Sequence, residues 1–188
     1  MPEPFPRHFR LVHAQLASVT GKPVPLDELR SLGDQFRKAL DDESMPARHE
    51  ELFRFAVLTY VAQRDGHEAF AASCLQWLEP EVGKLDNRLL DGMLTVVRAN
   101  QMRIAGKVQD GIDLLRPQLD GSELLQARVV MRDLERAAGN VAAVAEQEGW
   151  LRAHRGQALG EVAVAQRLQP LNVSDVSSAA AHSAAGSH

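Results

Sequence analysis

"MRIAGKVQDGIDLL", residues 102 to 115, sets Gly106-Lys107 between two apolar stretches, and its reading decides the fold. A phosphate-binding loop needs a glycine five residues before that pair and a hydroxyl after it, so that backbone amides wrap the phosphates and the hydroxyl reaches magnesium. Gln101 and Val108 occupy those positions. Gly106 therefore reads as a corner, because glycine takes the left-handed conformation that ends a helix without a Cβ penalty. Two further stretches have the same form, "QRDGHEAF" at 63 to 70 and "RAAGNVAAV" at 136 to 144. Gly66, Gly106 and Gly139 lie 40 and 33 residues apart, close to the period of helix-turn-helix repeats.

The segments between the corners carry apolar residues at helical spacing. "EELFRFAVLTYVAQR", residues 50 to 64, is apolar almost all round, which predicts a helix covered on several sides at the centre of the fold. Phe70, Cys74, Trp77 and Val82 form one stripe. Leu89, Met93, Val96, Asn100 and Ile104 form another, with a single polar member. Leu124, Ala127, Met131, Leu134 and Ala138 repeat the spacing, and Val141, Val144 and Leu151 continue it. Towards the N-terminus, Phe5, Phe9, Val12, Leu16 and Val19 make a stripe that ends at "TGKPVP". A second helix is expected from Pro25, with Asp27 and Glu28 at the positive end of its dipole and Leu26, Leu29, Phe36 and Leu40 on its buried face.

The expected fold is all-α: antiparallel helix pairs stacked as a short α-solenoid over 47 to 168, with two N-terminal helices in 1 to 46 packed on one end. Residues 169 to 188 hold serine and alanine with little to bury, which reads as a flexible tail.

Composition narrows the chemistry. Hydrophobic content of 45% and charged content of 24% suit a globular chain, and aromatics are scarce at 5%. A net charge of −4 gives no global field to attract nucleic acid. Arginine outnumbers lysine, as in GC-rich bacterial genomes. A single cysteine and no run of 18 apolar residues point to a reducing cytoplasm without membrane spanning. "HEELF" at 49 to 53 begins like a zinc-protease helix, but Phe53 stands where the second histidine must be. His182 and His188 lack the further ligands a metal requires. Cys74 sits on a core stripe, where packing is the simpler role than nucleophilic catalysis. Asp41-Asp42-Glu43 and Glu79-Glu81 read as solvated acids near helix ends, and His154 with Arg152 and Arg155 as a C-terminal cap. No cofactor and no metal site is expected.

The glycine-cornered pairs over about residues 50 to 156 resemble the tetratricopeptide (TPR) family of helical repeats. With the glycines at the family's turn position, Ala71 and Leu75, Leu115, and Val144 and Leu151 fall where the family places small or apolar residues. Its signature tryptophan, tyrosine and closing proline are mostly missing. "WLRAHRGQALGE" followed by "LQPLNVSDV" is also similar to the end of the helical-repeat region in bacterial cyclases of putative peptide-modification systems. The TPR resemblance implies a non-catalytic adaptor or scaffold whose inner groove receives a protein or peptide. By register it points to Tyr60 and Arg64, Asn100 and Arg103, and Asp133 and Arg136 as the contact residues.

Two other classes stay open. "ERAAGNVAAVAEQEGWL" is similar to a helix-turn-helix, yet its second helix carries Glu146 and Glu148 with no basic residue before Arg152, so nucleic acid is not the expected partner. An enzyme with a site assembled from distant residues is the other. Leu159, Val162, Val164 and Leu168 offer a surface through which two copies could pair.

Overall fold

The computed structural model describes residues 7–42, 47–120 and 124–154. The expected tail at 169 to 188, the surface at 157 to 168, Phe5 and the two tail histidines lie outside the described residues.

Among the described residues there are eight α-helices and no strand: α1 (Arg7–Val19), α2 (Leu26–Leu40), α3 (Arg48–Arg64), α4 (Glu68–Val82), α5 (Arg88–Ile104), α6 (Val108–Leu115), α7 (Leu125–Ala137) and α8 (Val141–Ala153). Consecutive helices pair as α1–α2, α3–α4, α5–α6 and α7–α8. The odd-numbered helices pack side by side in one layer, and α2, α4 and α6 each touch the odd helices on both sides. Stacked hairpins of this kind are the architecture of a helical repeat.

The corner reading holds, and the N-terminal pair obeys it too. Gly21, Gly66, Gly106 and Gly139 all have φ between +76° and +81°. In each, the residue after the glycine donates its amide to the carbonyl five residues back: Lys22 to Ala17, His67 to Ala62, Lys107 to Met102 and Asn140 to Glu135. That is the Schellman closure, which satisfies carbonyls a helix end leaves open. The first two helices, expected as a pack on the array's end, thus form a hairpin of the same plan.

Helix α3 is the centre, with Glu51, Leu52 and everything from Phe55 to Gln63 buried. It touches α1, α2, α4 and α5, which explains why its sequence has no polar face. Phe55 lies edge-on to Phe36 at 6.4 Å and tilted against Trp77 at 4.9 Å. The Arg37 guanidinium stands 5.5 Å from the Phe55 ring centre and 5.9 Å from that of Trp77.

The stripes need correction at five positions, among them Ala138, which is exposed at the end of α7. On α1, Phe9 is 63% exposed and Val12 36%, because the helix turns Leu11, Ala14 and Ser18 inward instead. Ion pairing of Arg7 with Glu51 at 3.0 Å and the Ser18 hydroxyl on Asp65 at 2.5 Å fix that rotation. Leu89 is exposed at the start of α5, where Leu90 and Met93 face inward. Val141 is exposed because α8 packs on α7 as the last described helix and buries only Gln147 and Leu151.

Close approach is built in at Gly111 on α6. A Cβ there would stand 2.8 Å from Leu134 Cδ2 and 3.0 Å from the Ala99 carbonyl oxygen. The backbone oxygen cannot swing aside as a side chain can. Gly111→Ala is expected to destabilise the protein by about 1–2 kcal/mol despite alanine's better helix propensity. Urea unfolding checks this, and a gain in stability would contradict the packing.

Glu79 and Glu81, read from sequence as solvated acids, are both ion-paired: Glu79 joins α4 to the next hairpin, and Glu81 ties α4 to α3 within its own. Glu79 pairs with Arg98 at 2.7 Å, and Glu81 with Arg48 and with Lys84, each at 2.7 Å. The hydrogen bond from Lys84 foremost, aided by Arg48 and opposed by burial, holds the Glu81 carboxyl below its ordinary range. A depressed carboxyl contributes stability above its unfolded pKa, and that contribution is lost as pH falls through the folded value. Glu81→Gln is therefore expected to be less stable than wild type at pH 7, with the gap closing below about pH 4.3. Thermal melts at pH 7 and pH 3.5 test the convergence.

Candidate functional site

Glycine corners set where the inner layer ends, and arginines cluster there. Arg103, Arg132, Asp133, Arg136 and Ala137, from the last turns of α5 and α7, line one open recess. Asp133 is its hub. It accepts from Arg132 Nε at 2.8 Å and Nη2 at 2.6 Å, and from Arg136 Nη1 at 3.3 Å. Arg136 Nη2 continues to Glu148 on α8 at 2.9 Å, and Arg152 stands 3.8 Å from the same carboxylate.

Tyr60 and Arg64 lie on α3 nearby. Arg64 Nη1 donates to the Tyr60 hydroxyl at 3.0 Å, with its guanidinium 5.6 Å from that ring centre. Burial works against the charged form of Arg64, but Tyr60 and the fields of Asp133 and Asp65 outweigh it and raise its pKa. Arg64 is thus a permanent cation tied electrostatically to the hub of the recess.

Both residues also line a small, partly open crevice of about 30 Å³, bordered by Gln15, Ser18 and Val19 of α1 and by Leu125, Gln126 and Val129 of α7. That volume suits a water molecule and no ligand.

Two of the six register residues are buried, Tyr60 at 4% exposed and Asn100 at 2%, so neither offers surface to a partner. Asn100 belongs to a polar network. Its Nδ2 donates to Gln63 Oε1 at 2.9 Å, and its Oδ1 accepts from Arg103 Nε at 2.9 Å. Gln63, also buried, donates to the Val97 carbonyl at 3.0 Å and to Gln101 Oε1 at 3.1 Å. The polar interruption of the α5 stripe is therefore a buried relay that ends on Arg103. Arg132 and Gln63 take part in the site and were not singled out by register. The sequence carries only faint signals for them: an arginine adjacent to Asp133, and a glutamine near the end of an otherwise apolar helix.

The recess has a charge imbalance. Among the described residues, no carboxylate lies within ion-pair distance of Arg64 or Arg103, while Arg132 and Arg136 share Asp133. A wider cleft between the starts of α1, α3 and α5 has an apolar floor of Leu11, Val12, Phe53, Val57, Leu89 and Leu90. Its rim carries His8 and His49 beside Glu50 and Arg54, and the last two already pair at 3.0 Å.

Cys74 is fully buried, and desolvation pushes its thiol up to about 11 although Arg37 opposes the shift. Such a thiol is no nucleophile at neutral pH. His154 places a ring nitrogen 2.8 Å from the Trp150 carbonyl and stacks on that indole at 3.8 Å, at the end of α8. Among the described residues no group of three or more potential metal ligands occurs, and no helix is long and apolar enough to cross a membrane. Comparison of the chain with protein-family models, with curated proteins and with solved structures finds no match in any of the three.

Proposed function

We propose that the chain is a TPR-like binding module, an adaptor or scaffold of the bacterial cytoplasm that receives a segment of a protein or peptide partner at its inner layer. The observation that carries this reading is the pair of guanidiniums, Arg64 and Arg103, held by the neutral partners Tyr60 and Asn100 beside an open recess. A solvated arginine loses nothing by pairing with a nearby acid. Holding two of them ordered and unpaired leaves their charge for something that arrives. Preorganised side chains also spare a binding event the entropy of ordering them.

The hairpin layout supports the same reading, because it sets three last turns side by side, each contributing polar residues. A role in a peptide-modification or regulatory system is the pathway proposed. The test is affinity capture from the native host with wild type and a folded Arg64→Ala, Arg103→Ala, Arg136→Ala variant. A partner held by the wild type and released by the variant supports the reading. A partner retained equally by both contradicts it.

A further inference from the structure

Gln63 and Asn100 are polar side chains in a site that apolar ones would fill at little or no cost in stability, since replacing both members of a buried hydrogen-bonded pair by apolar groups is close to neutral. Their visible effect is on Arg103. The relay runs from the Val97 carbonyl through Gln63 and Asn100 to Arg103 Nε, with every link between 2.9 and 3.0 Å. With Nε occupied, the side-on edge of the guanidinium is closed. Its two terminal nitrogens remain, and they match the two oxygens of a carboxylate.

We propose that the recess takes an acidic side chain of the partner segment end-on at Arg103, and that buried Gln63 and Asn100 are the positioning residues that hold Arg103 for it. The inference rests on the binding reading given above and names the chemistry of that partner. The charge pattern favours an acidic polypeptide over a phosphoryl group. Arg64, Arg103 and the Arg132–Arg136 pair are spread over three helices rather than focused on one point, and Asp133 sits among them to repel a dianion. Nucleic acid fits less well, since no aromatic ring lines the recess for bases to stack on.

The experiment is selection of a displayed random-peptide library on the full chain, with counter-selection on Arg103→Ala, followed by fluorescence anisotropy of enriched peptides. The expected peptides carry Asp or Glu at a fixed position, and Arg103→Ala weakens them tenfold or more. Asn100→Asp, whose new carboxylate would neutralise Arg103 from within, is expected to weaken them at least as much while its thermal melt shows a folded protein. Changing the peptide's acid to its amide is expected to abolish the difference between wild type and either variant, which a merely structural role for Asn100 would not produce.

Enriched peptides that depend on Arg103 but carry no acid would overturn this inference and leave the binding reading standing. No Arg103-dependent peptide at all would overturn both. Arg103-dependent binding of a labelled oligouridylate in place of peptides would reassign the recess to nucleic acid.

Discussion

Phe55→Ala is expected to cost about 3–5 kcal/mol of stability, the largest loss from any single truncation considered. Phe55 is fully buried at the middle of α3, in contact with Phe36 on α2 and Trp77 on α4. Removing the ring opens a cavity among three helices of two hairpins, and those helices cannot collapse into it without disturbing one another. Arg37 also loses one of the two rings over which its cation lies. Its Nε is buried without a hydrogen-bond partner among the described residues, while its terminal nitrogens reach Cys74 Sγ at 3.7 Å and Asp34 at 4.0 Å. Urea denaturation with a shared m-value gives the difference directly. A loss below about 1 kcal/mol would mean that α3 is not the centre of the core.

Asp65→Ala is expected to cost about 2–3 kcal/mol, from a residue that touches little apolar surface. Its Oδ2 accepts the Val24 amide at 2.9 Å, and its Oδ1 accepts the Ser18 hydroxyl. The His67 ring closes the same junction, with a nitrogen 2.8 Å from the Val24 carbonyl. One side chain therefore clamps the first hairpin's turn to the second's, and its removal strands the buried Val24 amide. The predicted signature is local: hydrogen exchange should quicken in α1 and α2 while α5 to α7 keep their protection. Uniform loss of protection along the chain would show instead that the hairpins unfold as one unit.

Much of this architecture was legible in the sequence, for a physical reason. A left-handed corner is a demand that few residues other than glycine meet, so Gly66, Gly106 and Gly139 announced the helix ends. The fourth corner, Gly21, is harder to see because "TGKPVP" contains two prolines and reads as a generic breaker. Helix rotation was less legible. On α1 the Phe9–Val12–Leu16 stripe and the Leu11–Ala14–Ser18 face compete, and the choice falls to partners 44 and 47 residues away, Glu51 and Asp65. No periodicity within α1 encodes those partners.

The candidate site was legible in part. Counting back from each glycine brought Arg103, Asp133 and Arg136 to one recess and Tyr60 with Arg64 beside it. It could not tell that Asn100 faces inward, since an amide in an apolar stripe fits a surface contact and a buried relay equally well. The deciding element is Gln63 on the neighbouring helix, which only packing brings within 2.9 Å.

The most direct test of the central claim, that the recess receives a partner segment, is photocrosslinking in the native host with benzoylphenylalanine placed at Ala137 or at Val141. Ala137 lines the recess, whereas Val141 is 81% exposed at the start of α8 and does not line it. A discrete crosslinked partner is expected from Ala137, lost when Arg103→Ala is added, and none from Val141. Crosslinking of the same partner from Val141, or survival of the Ala137 product in the Arg103→Ala background, would contradict the claim.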